Sequence, residues 1–138
     1  MSPKKAASEH WKHTPEVHDY PAAESYLTLV ASPELARAAV AALESAPIVS
    51  YQAKDLLRAS RLELLGEDNP HVAGDLRKIR KGERLSPVLV VRGSAGAGLP
   101  LTVADGYHRI CASWHTDEDE SIPCKIVDLP QRGQKRSQ

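Results

Sequence analysis

The stretch VADGYHRICASWH, residues 103–115, decides how this chain is read. It opens as the apolar end of a strand and breaks at Asp105-Gly106. From Tyr107 it takes helical spacing, with Ile110 one turn before Trp114. A helix start presents backbone N–H groups without intrahelical partners, at the positive end of the helix dipole. Phosphate binds readily in such a place. Gly106 permits a tight turn and a close backbone approach. Arg109 can clamp a phosphate with two parallel hydrogen bonds, and His108 can donate from either ring nitrogen. The same residues also read as a plain capped turn, with Asp105 as the cap, a turn glycine and two polar surface side chains.

Working outward, PVLVVRG (87–93) is a continuous apolar run, the mark of a buried strand, and PLTVAD (100–105) is the next strand. GSAGAG (93–98) joins them, so the pair reads as a hairpin. IPCKIVDL (122–129) is a last strand, with Ile122, Cys124 and Ile126 on one face. Before the hairpin, NPHVAGDLRKIRKG (69–82) starts a helix at Asn69-Pro70, carries an apolar row at Val72, Leu76 and Ile79, and stops at Gly82. SPELARAAVAALESA (32–46) is a helix capped by Ser32, with Pro33 first and Leu35, Ala39 and Leu43 on one face. PAAESYLTLV (21–30) starts a short helix whose end is ambiguous with strand. IVSYQ (48–52) is a strand leading into AKDLL (53–57), a turn or short helix. The fold class is α+β: a compact single domain with a small mixed sheet and flanking helices.

The chain has 138 residues, enough for one domain with a real core. Phe is absent and aromatics are 4%, so the core must rest on Leu, Val, Ile and Ala. The ordered domain is expected over 20–129, between a flexible arm at 1–19 and a disordered basic tail at 130–138. Net charge is zero, which gives a general polyanion binder no support at this level. A local strip remains: residues 77–92 hold Arg77, Lys78, Arg80, Lys81, Arg84 and Arg92 against Glu83 alone. Cys111 and Cys124 fit no zinc spacing and read as free, buried thiols in a reducing, cytoplasmic setting. Residues 1–20 carry no apolar leader run, and no stretch approaches a membrane span.

Other clusters compete for chemistry. AKDLLRAS (53–60) gathers Lys54, Asp55, Arg58 and Ser60. Lys54 or Arg58 suits phosphate contact and Asp55 suits a base or metal ligand, while a solvated helix face with Leu56 and Leu57 inward explains the same pattern. GSAGAG leads into a strand and lacks a Lys-Ser/Thr ending, so it fails both nucleotide-loop fingerprints. The acidic run at 117–120 reads as a solvated loop. His10, His13 and His18 lack a visible frame to hold a metal, and no metal ligands are assigned.

The order of pieces over about residues 48–129 resembles the ParB/sulfiredoxin superfamily. There a hairpin leads to a Gly-containing turn, an adjacent His-Arg or Arg-Arg, a helix, and a strand opening with Ile-Pro or Val-Pro. Sulfiredoxins carry Gly-Gly-Cys-His-Arg at this turn, matched here by Asp105, Gly106, Tyr107, His108 and Arg109. The resemblance implies that His108 and Arg109 hold nucleotide phosphates and that Gly106 shapes the turn. The sulfiredoxin catalytic cysteine is Tyr107 here, so sulfinic acid reduction is not expected. ParB-type CTP-binding domains carry Gly-Glu-Arg-Arg, of which the Glu and first Arg are missing, so a partition role is not expected.

The expected function is binding of ATP or another nucleotide with Mg2+, or a related phosphate ligand. Gly106, Tyr107, His108 and Arg109 would contact it, flanked by Lys54 or Arg58. A phosphotransferase would use Asp55 or Asp105 for Mg2+ or base duty. The alternatives are a nucleic-acid-binding or nuclease-like module that uses the basic strip and tail, and a non-catalytic domain that acts on a protein partner.

Overall fold

A computed structural model describes residues 10–129 of the chain. Among these residues are five helices and four strands: α1 (Asp19–Leu27), α2 (Pro33–Ser45), β1 (Val49–Gln52), α3 (Ala53–Ser60), α4 (Pro70–Arg80), β2 (Val88–Arg92), β3 (Thr102–Asp105), α5 (Tyr107–Thr116) and β4 (Ser121–Asp128). The sheet order is β1-β4-β2-β3. β2 runs parallel to β4, and the β1–β4 and β2–β3 pairs are antiparallel, so the sheet is mixed and the expected hairpin is β2–β3.

The sheet is covered on both faces. Val88, Val90, Val103, Ile122 and Cys124 pack with Leu56 and Leu57 of α3, Val72 of α4 and Ile110, Cys111 and Ala112 of α5. Leu89, Val91 and Ala104 point the other way, onto Ala23 and Leu27 of α1 and Ala36, Ala39, Val40 and Leu43 of α2. This double cover is why β2, an inner strand, reads as an unbroken apolar run rather than an alternation.

Local signals set the helix ends. The Ser32 hydroxyl accepts from the Leu35 N–H at 3.2 Å, and Asn69 Oδ1 accepts from the N–H groups of His71 and Val72 at 2.9 and 3.1 Å. In α2 the buried face is Ala36, Ala39, Val40 and Leu43, with Leu35 only half-buried. In the hairpin loop Gly93 is required: a Cβ there would lie 2.3 Å from the carbonyl oxygens of Leu99 and Pro100.

Two expectations change. The arm expected over 1–19 is, from His10 onward, part of the domain. Trp11 is 3% exposed, and its neighbours pair with Leu85 through Leu85 N–H to His10 O (2.8 Å) and Lys12 N–H to Leu85 O (2.7 Å). The reason is a buried partner far along the chain. Glu120 Oε2 accepts from Trp11 Nε1 at 3.0 Å and lies 3.1 Å from His10 Nδ1. The acidic run therefore divides, with Asp117, Glu118 and Asp119 exposed and Glu120 buried. Residues 1–9 and the tail at 130–138 lie outside the described residues. No helix among the described residues is long and apolar enough to cross a membrane.

Candidate functional site

β3 ends at Asp105 and α5 begins at Tyr107, so the whole change of direction falls on Gly106, at φ +118° and ψ 14°. A side chain is excluded there twice, by the left-handed backbone and by space. A Cβ would sit 2.9 Å from Val88 Cγ2 and 3.0 Å from Arg109 Nη2. As N-cap, Gly106 offers no side-chain acceptor to the first turn of α5. Asp105 turns to Arg109 instead: Nη2 donates to Asp105 Oδ2 at 2.9 Å and to the Pro87 carbonyl at 3.2 Å. Each side chain of this pair is only 17% exposed. Burial raises the Asp105 pKa, with Arg109 pulling against it. Arg109 Nε is buried without a hydrogen-bond partner.

α4 packs beside α5 and brings their first turns together. The ring of His71, second residue of α4, lies 4.6 Å from that of His108, second residue of α5. Burial and then His71 lower the His108 pKa, while Asp75 opposes them. Asp75 sits one turn along α4 among the charges of Lys78, Arg109, His108 and His71, and burial raises its pKa. Asp75, Lys78 and Arg109 line a cleft of about 550 Å³ whose outer wall is the segment carrying Lys12, Glu16, His18 and Asp19. Its cations, Lys12, Lys78, Arg84 and Arg109, are matched by Glu16, Asp19, Asp75 and Glu83.

The residues singled out from the sequence do not all converge. Tyr107 spends its hydroxyl on the Glu63 carbonyl and packs against the core, so it fixes the turn to the preceding loop. Lys54, Asp55 and Arg58 lie elsewhere. α3 follows β1 and α5 follows β3, which are the two outer strands. Three strand spacings, roughly 14 Å, separate those strands. Lys54 Nζ pairs with Asp119 at 2.7 Å, a contact that raises its pKa, and Arg58 pairs with Asp55 at 3.2 Å. Asp55 and Arg58 line a different groove, which takes them away from a ligand at the start of α5. The N–H groups that open α3 are also occupied, Ala53 by the Glu120 carbonyl and Lys54 by the Glu118 carbonyl, each at 3.2 Å.

The basic strip at 77–92 splits in the same way. Lys78 and Arg84 face the cleft, whereas Arg92 lies at the far end of β2 and pairs with Asp128 at 2.9 Å. Both cysteines are free and buried; burial raises the Cys111 thiol and pushes Cys124 up to about 12. Sequence reading missed His71 and Asp75. Asn69-Pro70 already fixed His71 in a first helical turn, but its meeting with His108 depends on helix packing that no local pattern records. The chain matches no family model, no curated protein and no solved structure.

Proposed function

We propose that this domain binds a nucleotide or another small phosphate ligand against the first turn of α5. The N–H groups after Gly106, His108 and the adjoining His71 are the contacts. One observation carries the reading: the turn is entered through a left-handed glycine that offers no cap, and the nearest carboxylate, Asp105, is drawn off to Arg109. The first-turn N–H groups are thus left without a side-chain cap at the positive end of the dipole. The resemblance of DGYHR to the His-Arg turn of the ParB/sulfiredoxin superfamily supports the same place. Arg109 contributes as the turn's framework, held by Asp105 and the Pro87 carbonyl, with Nε still lacking a partner.

The adjoining cleft, which Arg109 and Asp75 line and His71 and His108 do not, has balanced charges and so offers a polyanion no basic track. Among the described residues no three His, Cys, Asp or Glu side chains converge as a metal cage. Mg2+ therefore fits as an ion carried in by the phosphates, its usual mode in such sites. Phosphoryl transfer would also need a base. Asp75, on the same helix as His71 and within electrostatic reach of both histidines, fits that duty better than Asp105, which Arg109 holds, or Asp55, which lines another groove.

The test is calorimetric titration with ATP, ADP, CTP and GTP plus Mg2+ against the wild type, His108→Ala and His71→Ala. Both histidines are at least partly exposed, so their loss leaves the fold standing, whereas Arg109→Ala would break a half-buried pair. Saturable binding weakened about tenfold by either variant is expected, the worth of one charge-assisted hydrogen bond. No heat with any nucleotide from folded wild-type protein would end the reading.

A further inference from the structure

The β2–β3 loop, residues 93–100, lies at the end of β3 opposite the start of α5, and a groove runs along each side of it. One, about 610 Å³, has Leu56, Leu101 and Ile126 as its floor and Tyr51 among its lining; of its arginines, Arg58 pairs with Asp55 and Arg92 with Asp128, while Arg61 has no ion pair among the described residues. The other, about 640 Å³, runs over Leu27, Val30, Val91 and Leu129. Large apolar side chains stand exposed along both, Leu99 at 60%, Val30 at 57% and Tyr51 at 40%. An apolar patch rimmed by polar groups marks an interaction surface, and Tyr with Arg is the composition of binding hot spots.

Arg61 strengthens the case. It is the one non-glycine residue at positive φ among the described residues (φ 59°, ψ 23°), a conformation that glycine takes without cost. The chain keeps an arginine at this α3 C-cap, lining the groove, and no ion pair within 4.0 Å engages it among the described residues. The described chain also ends here, since Leu129 lines the second groove. The nine residues that follow contain Arg132, Lys135 and Arg136, with no Asp, Glu or large aliphatic residue. By composition they form a basic segment with no large aliphatic side chain suited to an apolar floor.

We propose that the hairpin end is a docking surface for an extended segment of a partner protein that carries carboxylates beside aliphatic side chains. Its carboxylates meet Arg61, Arg58 and Arg92, and its aliphatic groups cover Leu99, Leu101 and Ile126. The floor favours a peptide over single-stranded nucleic acid, which is held on aromatic platforms; among the described residues Tyr51 is the one aromatic in either groove. The inference stands apart from the nucleotide reading, because none of these residues belongs to the start of α5.

The experiment selects random displayed peptides on the full chain. It then measures the synthesised winners by fluorescence polarisation against wild type, Leu99→Glu and Arg61→Gly, with oligo(dT) as competitor. Arg61→Gly removes the guanidinium and relieves the backbone, so it melts no lower than wild type and separates lost contact from lost fold. Expected are winners rich in Asp or Glu with Leu, Ile or Val, bound at least tenfold more weakly by both variants and not displaced by oligo(dT). The proposal is overturned by no enrichment over the Leu99→Glu protein or by winners that ignore both variants. It is equally overturned by oligo(dT) displacement, which would make the surface a nucleic-acid site, or by self-association of the wild type that both variants abolish, which would make the occupant a second copy.

Discussion

The domain passes from an outer strand into a helix twice at the same end of its sheet but on opposite edges, at Gln52–Ala53 and at Asp105–Gly106–Tyr107, and the two passages are built differently. Gln52 keeps an ordinary extended backbone (φ −77°, ψ 147°), and the carbonyls of Glu120 and Glu118 take the first N–H groups of α3. Gly106 takes the left-handed region, Asp105 is engaged by Arg109, and no side chain caps α5. Both helices have the same dipole, and both starts have basic and acidic neighbours in sequence. What separates them is whether the chain's own acceptors have already used the N–H groups. In the proposed reading, a helix start becomes a ligand site through what fails to cap it.

The largest effect that sharpens this contrast is at the glycine. Gly106→Ala should cost about 3 kcal/mol, from a left-handed β-carbon and overpacking against Val88, read as a fall in the urea midpoint. Gln52→Ala should stay within about 0.5 kcal/mol, the usual range for a surface change. Equal costs would erase the distinction. Next comes Glu120→Ala, expected to destabilise by about 2 kcal/mol because the buried Trp11 indole N–H loses its acceptor. The main-chain carbonyl that closes α3 is retained, so far-UV helicity should hold while tryptophan emission shifts red. A loss of helicity would mean that the side chain, rather than the carbonyl, secures α3.

Asp55→Asn and Lys54→Ala should leave nucleotide affinity unchanged within twofold and stability within about 0.5 kcal/mol, as for exposed ion pairs. Lost binding in either would move the site to α3. The smallest expected effect is on pH dependence. The folded state lowers the His108 pKa, so the unfolded chain protonates first as pH falls through the ordinary value near 6.5. His108 therefore takes stability away as pH falls through that range, and the loss levels off below the folded value. Burial raises Asp75, Asp105 and Glu120, whose contributions run the other way and grow as pH falls. Denaturant midpoints at pH 7.5 and 5.5 should show His108→Ala gaining on the wild type at the lower pH. An unchanged difference would mean that neither burial nor the neighbouring His71 lowers the His108 pKa in the folded protein.

Much of the fold was legible because its signals are local. Ser32-Pro33 and Asn69-Pro70 set the starts of α2 and α4, PVLVVR announced a strand buried on both faces, and Ile122, Cys124 and Ile126 share a face of β4 as their alternation implies. The turn at Gly106 was legible as a turn, and its two readings differed over Asp105. The sequence shows a residue able to cap, and only the fold shows Arg109 taking it at i+4. Long-range pairings left no trace in any window: β2 parallel to β4, His71 against His108, and Trp11 onto Glu120. The grouping of Lys54, Asp55 and Arg58 with the α5 turn failed for the same reason, since sheet order places β1 and β3 at opposite sides.

The Trp11–Glu120 bond also has a consequence for the order in which the molecule assembles. Its partners stand 109 positions apart, so the bond closes nearly the whole described chain into one ring. A ring that large has a heavy entropic cost until the sheet has already brought its ends close. This closure is expected late in folding, and its opening early in unfolding. In a refolding trace the indole of Trp11 should therefore report the last step. Because Lys12, Glu16, His18 and Asp19 ride on the segment it fastens, the cleft beside α5 has its outer wall only after that step is complete.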